Sequence, residues 1–105
     1  MKRLQTLLGF AAKAGAVVSG SAAVEAGIKK GRIKLVVCAA DLSARTIAKF
    51  NFLCKENRIC FHCYGILSEL SLWIGNPGRG VIGITSKQFA DTIGSLFNDG
   101  GEHHK

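Results

Sequence analysis

The sequence predicts an α/β domain: a four-stranded sheet, largely parallel or mixed, with helices on both faces. Three observations carry that expectation. Helical and strand-like segments alternate along the chain in the order α-β-α-β-α-β-α-β-α. Leu35-Val36-Val37-Cys38-Ala39 is an unbroken apolar, β-branched run, the pattern of a strand covered on both faces. The chain has 105 residues, of which 48% are hydrophobic and 20% charged, the size and balance of one globular domain.

Leu4, Leu7, Leu8, Ala11 and Ala12 recur at helical spacing, so a first helix is expected over about Lys2–Ala14, stopping at Gly15. Ala16–Ser19 reads as a short strand. Gly20-Ser21 opens a second helix that runs to about Lys30 with Val24 and Ile28 on one face, and Gly31 ends it. After the Leu35–Ala39 strand, Asp41 and Ser43 supply N-cap chemistry for a third helix over about Ser43–Asn57. Ile59–Tyr64 reads as a strand and Ser68–Ile74 as a short helix, followed by the turn-rich Gly75-Asn76-Pro77-Gly78-Arg79-Gly80. Val81–Thr85 is the fourth strand. Phe89, Ile93, Leu96 and Phe97 mark a last helix capped by Ser86. The domain is expected to span residues 1–97, with 98–105 a flexible polar, Gly-rich tail.

Charge narrows the function. Fourteen Lys/Arg against seven Asp/Glu leave +7, and the isoelectric point is about 9.6. The imbalance is local: residues 1–60 hold eleven bases and three acids, residues 61–105 three bases and four acids. Such a field attracts polyanions, and nucleic acid is the commonest of these. The plainer reading is a solvated basic surface that aids solubility. No apolar run approaches the roughly 18–20 residues of a membrane span. Met1-Lys2-Arg3-Leu4 also lacks the features of a signal peptide, so a cytoplasmic protein is expected.

Motifs of enzymes and cofactor sites are weak here. Gly78-Arg79-Gly80-Val81-Ile82-Gly83 spells G-x-G-x-x-G, but it leads from a loop into a strand, the reverse of the dinucleotide context. It reads better as a flexible basic loop carrying Arg79. Cys60 and Cys63 have knuckle-like spacing. On a strand, however, residues three apart face opposite ways, and Cys38 and Cys54 form no second pair. The four cysteines are therefore expected to be buried reduced thiols, with no metal and no cofactor. His62 sits on a strand, and His103 and His104 lie in the tail. The carboxylates are scattered singly, and Ser19 and Ser21 lack a nucleophile elbow. The reading is non-catalytic.

Ser19-Gly20-Ser21-Ala22-Ala23 places small residues at a helix N-terminus, where unpaired N–H groups and the helix dipole favour a phosphate. Lys29, Lys30, Arg32 and Lys34 follow. The alternative is a tidy helix with a solvated basic C-terminus, which the dipole favours equally.

A resemblance sharpens this choice. Leu7-Leu8-Gly9-Phe10-Ala11, Val17-Val18-Ser19-Gly20, the stretch from Lys34 to Ser43, and Gly80-Val81-Ile82-Gly83-Ile84 follow one another in a familiar order. That order resembles the kink-turn RNA-binding ribosomal-protein superfamily typified by L-seven-Ae and L-thirty-e, in its bacterial YlxQ-type branch, over about residues 3–97. The resemblance implies a three-layer α-β-α sandwich that binds structured RNA, is ribosome- or translation-associated, and catalyses nothing. It implies that a helix N-terminus enters the groove of a bent RNA through a Gly-x-Asn-Glu-x-x-Lys motif. The Gly falls on Gly20 and the next position on Ser21. The Asn, Glu and Lys positions fall on Ala22, Ala23 and Ala26, and a basic residue one turn on is Lys30. The family's second contact, the loop before the last strand with apolar and Arg contacts, falls on Pro77, Arg79 and Ile82.

The alanines are a departure. Methyl groups cannot read purine edges by hydrogen bonds, and each hydrogen-bonded readout given up is worth roughly 1–3 kcal/mol. The expectation is RNA binding by shape and phosphate charge, with degraded kink-turn readout. The competing expectation is a protein-interaction module that keeps the fold without specific RNA binding, or a homodimer. Phe52, opposite Phe50 on its helix, or Trp73 would be the anchor, and ordinary core filling is the plainer reading of both.

Overall fold

The computed structural model describes the backbone of residues 2–103 and the side-chain surroundings of residues 2–98. The elements follow the expected order: α1 (Lys2–Lys13), β1 (Val17–Ser19), α2 (Ser21–Lys29), β2 (Leu35–Cys38), α3 (Ala44–Glu56), β3 (Cys60–Cys63), α4 (Leu67–Trp73), β4 (Val81–Ile84) and α5 (Lys87–His103). The strands lie in the order β1-β4-β2-β3. β4 is antiparallel to both neighbours, and β2 and β3 run parallel. The sheet is mixed, and the last strand in sequence occupies its interior.

Strand alternation sorts the core into two layers. Leu35, Val37, Ile82 and Ile84 face Leu4 and Leu8 of α1, Leu70 of α4, and Ile93 and Leu96 of α5. Val36, Cys38 and Val81 face Val24 and Ile28 of α2 and Phe50 and Cys54 of α3. β2 is buried along its whole length, as its sequence requires. The result is a three-layer α-β-α sandwich. Ile33, just before β2, fills a gap that glycines open on two elements. A Cβ on Gly27 of α2 would stand 2.9 Å from Ile33 Cδ1, and one on Gly83 of β4 would stand 2.8 Å from the same atom.

Some expectations change. Ser43 does cap α3, its Oγ accepting from the Thr46 N–H at 3.1 Å. Asp41 serves a different helix: its carboxylate accepts the Leu67 N–H at 2.9 Å, at the start of α4. The last helix continues past Phe97 to His103, because extending a formed helix needs only propagation and no new nucleus. The side chains of 99–105, including those of His103 and His104, lie outside the described residues. Cys38 and Cys54 are buried, but Cys60 and Cys63 are exposed, since β3 is an edge strand with little covering its ends.

The pairing register puts the ends of β1, β2 and β3 beside the start of β4, with Ser19 opposite Ile82 and Cys38 opposite both Val81 and Cys63. The connections β1–α2, β2–α3, β3–α4 and α4–β4 therefore gather at one end of the sheet. The connections α1–β1, α2–β2, α3–β3 and β4–α5 gather at the other.

Candidate nucleic-acid interface

Gly20 is the hinge of the first end. It precedes α2 with φ 97° and ψ 146°, a conformation that a side chain disfavours, and no side chain caps the helix. The first amides of α2 thus point outward without a side-chain acceptor, at the positive end of the helix dipole. The Gly20 N–H donates to the Val81 carbonyl at 2.9 Å, which fixes the opening of α2 to β4.

The α4–β4 loop lies against the same point. A Cβ on Gly20 would fall 2.7 Å from Arg79 Nη1, so the guanidinium rests over the glycine. Asn76 Nδ2 donates to Ser19 Oγ at 2.7 Å and fastens this loop to the end of β1. At the base of the loop, Gly80 leaves room for Leu42 and Leu67, whose methyl groups would stand 2.8 and 3.1 Å from a Cβ there. Sequence reasoning missed Asn76. The available signal was an amide side chain inside a turn-rich segment, the usual place for a side-chain clasp.

The residues expected to touch RNA divide into three groups. Gly20, Ser21, Ala22, Ala23, Pro77 and Arg79 are brought to one end of the sheet, and all except Gly20 are exposed. Ile82 is corrected: at 0% exposure its side chain belongs to the core facing α1, α4 and α5 and has no surface to offer. Alternation on β4 sends it inward. Lys30 lies apart from these, because it caps the far end of α2. At 1.5 Å per residue that is about 15 Å from Gly20. Lys29, Arg32 and Lys34 are there too, so the mouth is not ringed by that basic cluster.

Side-chain charge at the mouth is in fact balanced, with Arg45 and Arg79 against Asp41 and Glu69. Asp41 is occupied in capping α4. The N-termini of α2 and α3 also lie at this end, each equivalent to about half a positive charge. Elsewhere, Glu25 bridges Lys49 at 2.7 Å and Lys29 at 3.1 Å. Its pKa is held below the ordinary carboxylate value, first by the hydrogen bond from Lys49 and then by that from Lys29.

The remaining candidates have structural roles. Burial pushes the Cys38 thiol up to about 12 and the Cys54 thiol to about 11. Neither is a nucleophile near neutral pH. His62 stacks on Phe97 at 4.2 Å between ring centroids, and desolvation lowers its pKa. Among the described residues no group of three His, Cys, Asp or Glu could hold a metal ion. None of the described helices is long and apolar enough to cross a membrane. Phe50 is buried, while Phe52 is 61% exposed, as its opposite placement on α3 predicts. Trp73, the last residue of α4, is half-buried and packs against the core, in line with the core-filling alternative.

A mixed α-β-α sandwich with a main-chain-lined mouth at its strand ends is a binding domain of the ribosomal-protein type. The chain belongs to the Ribosomal protein L7Ae/L30e/S12e/Gadd45 family, whose sequence pattern matches residues 2–93; this is a family of non-enzymatic proteins. It is 33% identical over 92 residues to the RNA-binding protein YlxQ of Bacillus subtilis (strain 168), covering 88% of this chain and 92% of that one. Among solved structures it is similar to a protein of unknown function from Bacillus halodurans C, with TM-score 0.87 and 27% identity over 90% of this chain and 96% of the other. It also shares the fold of a 15.5kD RNA binding protein from Giardia lamblia, at TM-score 0.79 and 16% identity over 91% of this chain and 82% of that one.

Proposed function

We propose that this protein binds structured RNA without catalysis, in a ribosome- or translation-associated setting, and that the RNA backbone sits at the mouth formed by Gly20, Ser21 and the Pro77–Arg79 loop. One observation carries the placement: the Arg79 guanidinium and the uncapped start of α2 converge on Gly20. A phosphate there meets main-chain amides, a helix dipole and a planar cation together. The relative named as an RNA-binding protein supports the class of ligand.

Ala22, Ala23 and Ala26 are exposed on the same helix and present methyl groups where base edges would be read. Recognition therefore rests on shape and phosphate position, and kink-turn readout is degraded. The test is a titration of a kink-turn RNA and a plain duplex of equal length over a range of salt. Affinity for both should fall steeply with salt, with a modest preference for the bent RNA, and Arg79→Ala should flatten the slope by the equivalent of about one phosphate. Phe52→Ala should leave it alone. Salt-independent binding, or a slope that responds to Phe52→Ala and ignores Arg79→Ala, overturns the reading in favour of a protein-binding face on α3.

A further inference from the structure

The opposite end of the sheet carries charge in a different form. Lys30, Arg32 and Lys34 occupy the connection from α2 to β2, and Lys55 and Arg58 the end of α3 before β3. β2 and β3 are neighbours that start together, Leu35 opposite Cys60, so the two connections enter the sheet about one strand spacing apart. All five bases are exposed, and none pairs with a described acid. Glu56 is the single carboxylate in these two stretches.

Helix-dipole compensation does not account for them. The C-termini of α2 and α3 are each equivalent to about half a negative charge, which one base per helix would answer.

Backbone geometry gives a second, independent observation. The left-handed residues just after α1, α2 and α4 are Gly15, Gly31 and Gly75, with φ of 74°, 74° and 72°. After α3 the same position is Arg58, with φ 58°, the one described non-glycine residue in this region. Glycine would end α3 with less strain. An arginine held in that conformation is not what folding asks for, and Arg58 is exposed two residues before β3, the strand that pairs with β2.

We propose that this end is a second RNA-backbone surface, so that the protein holds two RNA segments at once, one at each end of its sheet. The proposal rests on the RNA-binding reading above and extends it. At the mouth, phosphates meet main-chain amides; here they meet side-chain cations. The two ends look in opposite directions along the strands, so a straight duplex resting on one leaves the other open. The occupant is a polyanion and not a protein face. Protein interfaces centre on exposed apolar or aromatic anchors, and here Ile33 is buried and Ile59 half-buried.

The test uses the full chain and short plain RNA duplexes carrying either a donor or an acceptor dye. Wild type should bring donor and acceptor duplexes together. Arg32→Gln/Lys34→Gln should abolish that energy transfer, retain binding of one duplex, and reduce the salt slope by about 0.7–0.9 for each phosphate no longer neutralised. Lys2→Gln/Arg3→Gln removes equal charge from the start of α1 and should keep the transfer. Arg58→Gly should lower the slope while the unfolding midpoint stays the same or rises, which separates charge from fold. Equal reductions in the two charge-matched doubles, or an unchanged slope in Arg58→Gly, overturn the second surface and leave the mouth reading standing. Loss of polyglutamate binding with RNA binding intact in the Arg32/Lys34 variant also overturns it. Failure of wild type to bind either duplex overturns both readings.

Discussion

Gly20 joins backbone conformation to ligand geometry in one residue. Its positive φ disfavours any side chain, and a Cβ there, 2.7 Å from Arg79 Nη1, would push the exposed guanidinium aside. Gly20→Ala should therefore destabilise the protein by about 1–2 kcal/mol in denaturant unfolding, and should weaken RNA binding by displacing the guanidinium. In Arg79→Ala the same substitution should cost less, since only the backbone part remains; an undiminished penalty would show that the guanidinium does not crowd the glycine. Such features are partly legible in sequence. A glycine between small residues at a helix start signals close approach, and Gly20 carries that signal. The strain at Arg58 is not legible, because the usual marks of a left-handed helix end are Gly and Asn, and an arginine gives no sign. Ile82 escapes its expected role because strand alternation, and not its place in a motif, decides which way its side chain points.

Among the elements, α2 has the tightest seat on the sheet. It depends on Ile33 wedging between Gly27 and Gly83, neither of which has room for a methyl group. Gly83→Ala should destabilise by about 1–3 kcal/mol through overpacking. Ile33→Val deletes the nearest atom, Cδ1, and leaves the next at 3.4 Å, so the double variant should recover part of that stability. Simple additivity in unfolding measurements would refute the wedge. Element identity and order are readable from periodicity, most clearly at β2, whose run of apolar residues is buried along its length. The distance of Lys30 from the mouth is readable too, since nine helical residues separate it from Gly20; sharing a helix does not bring two residues together. The length of α5 is not readable: Gly100 and Gly101 argue against helix by composition, yet the helix runs through them to His103.

For the whole molecule, acid stability depends on the contact that ties the edge strand to the last helix. His62 of β3 stacks on Phe97 of α5, and desolvation lowers its pKa from the ordinary 6.5. As pH falls below that value the unfolded chain takes up a proton that the folded one resists, so stability drops until the folded pKa is passed. Urea midpoints should decline as pH falls through and below 6.5, and His62→Gln should reduce that decline; an identical pH profile in the variant would assign it to other groups. Strand order is the global feature that local patterns do not supply, because register and neighbours depend on pairings distant in sequence. It also has a consequence for biosynthesis. β4 separates β1 from β2, so a growing chain has no partner for its first strand until residues 81–84 leave the ribosome. Any fragment ending before Val81 should lack a closed sheet and expose the flanks of β1 and β2 to other chains, and the nascent protein should acquire its tertiary structure late, in a single step that waits for β4 to emerge.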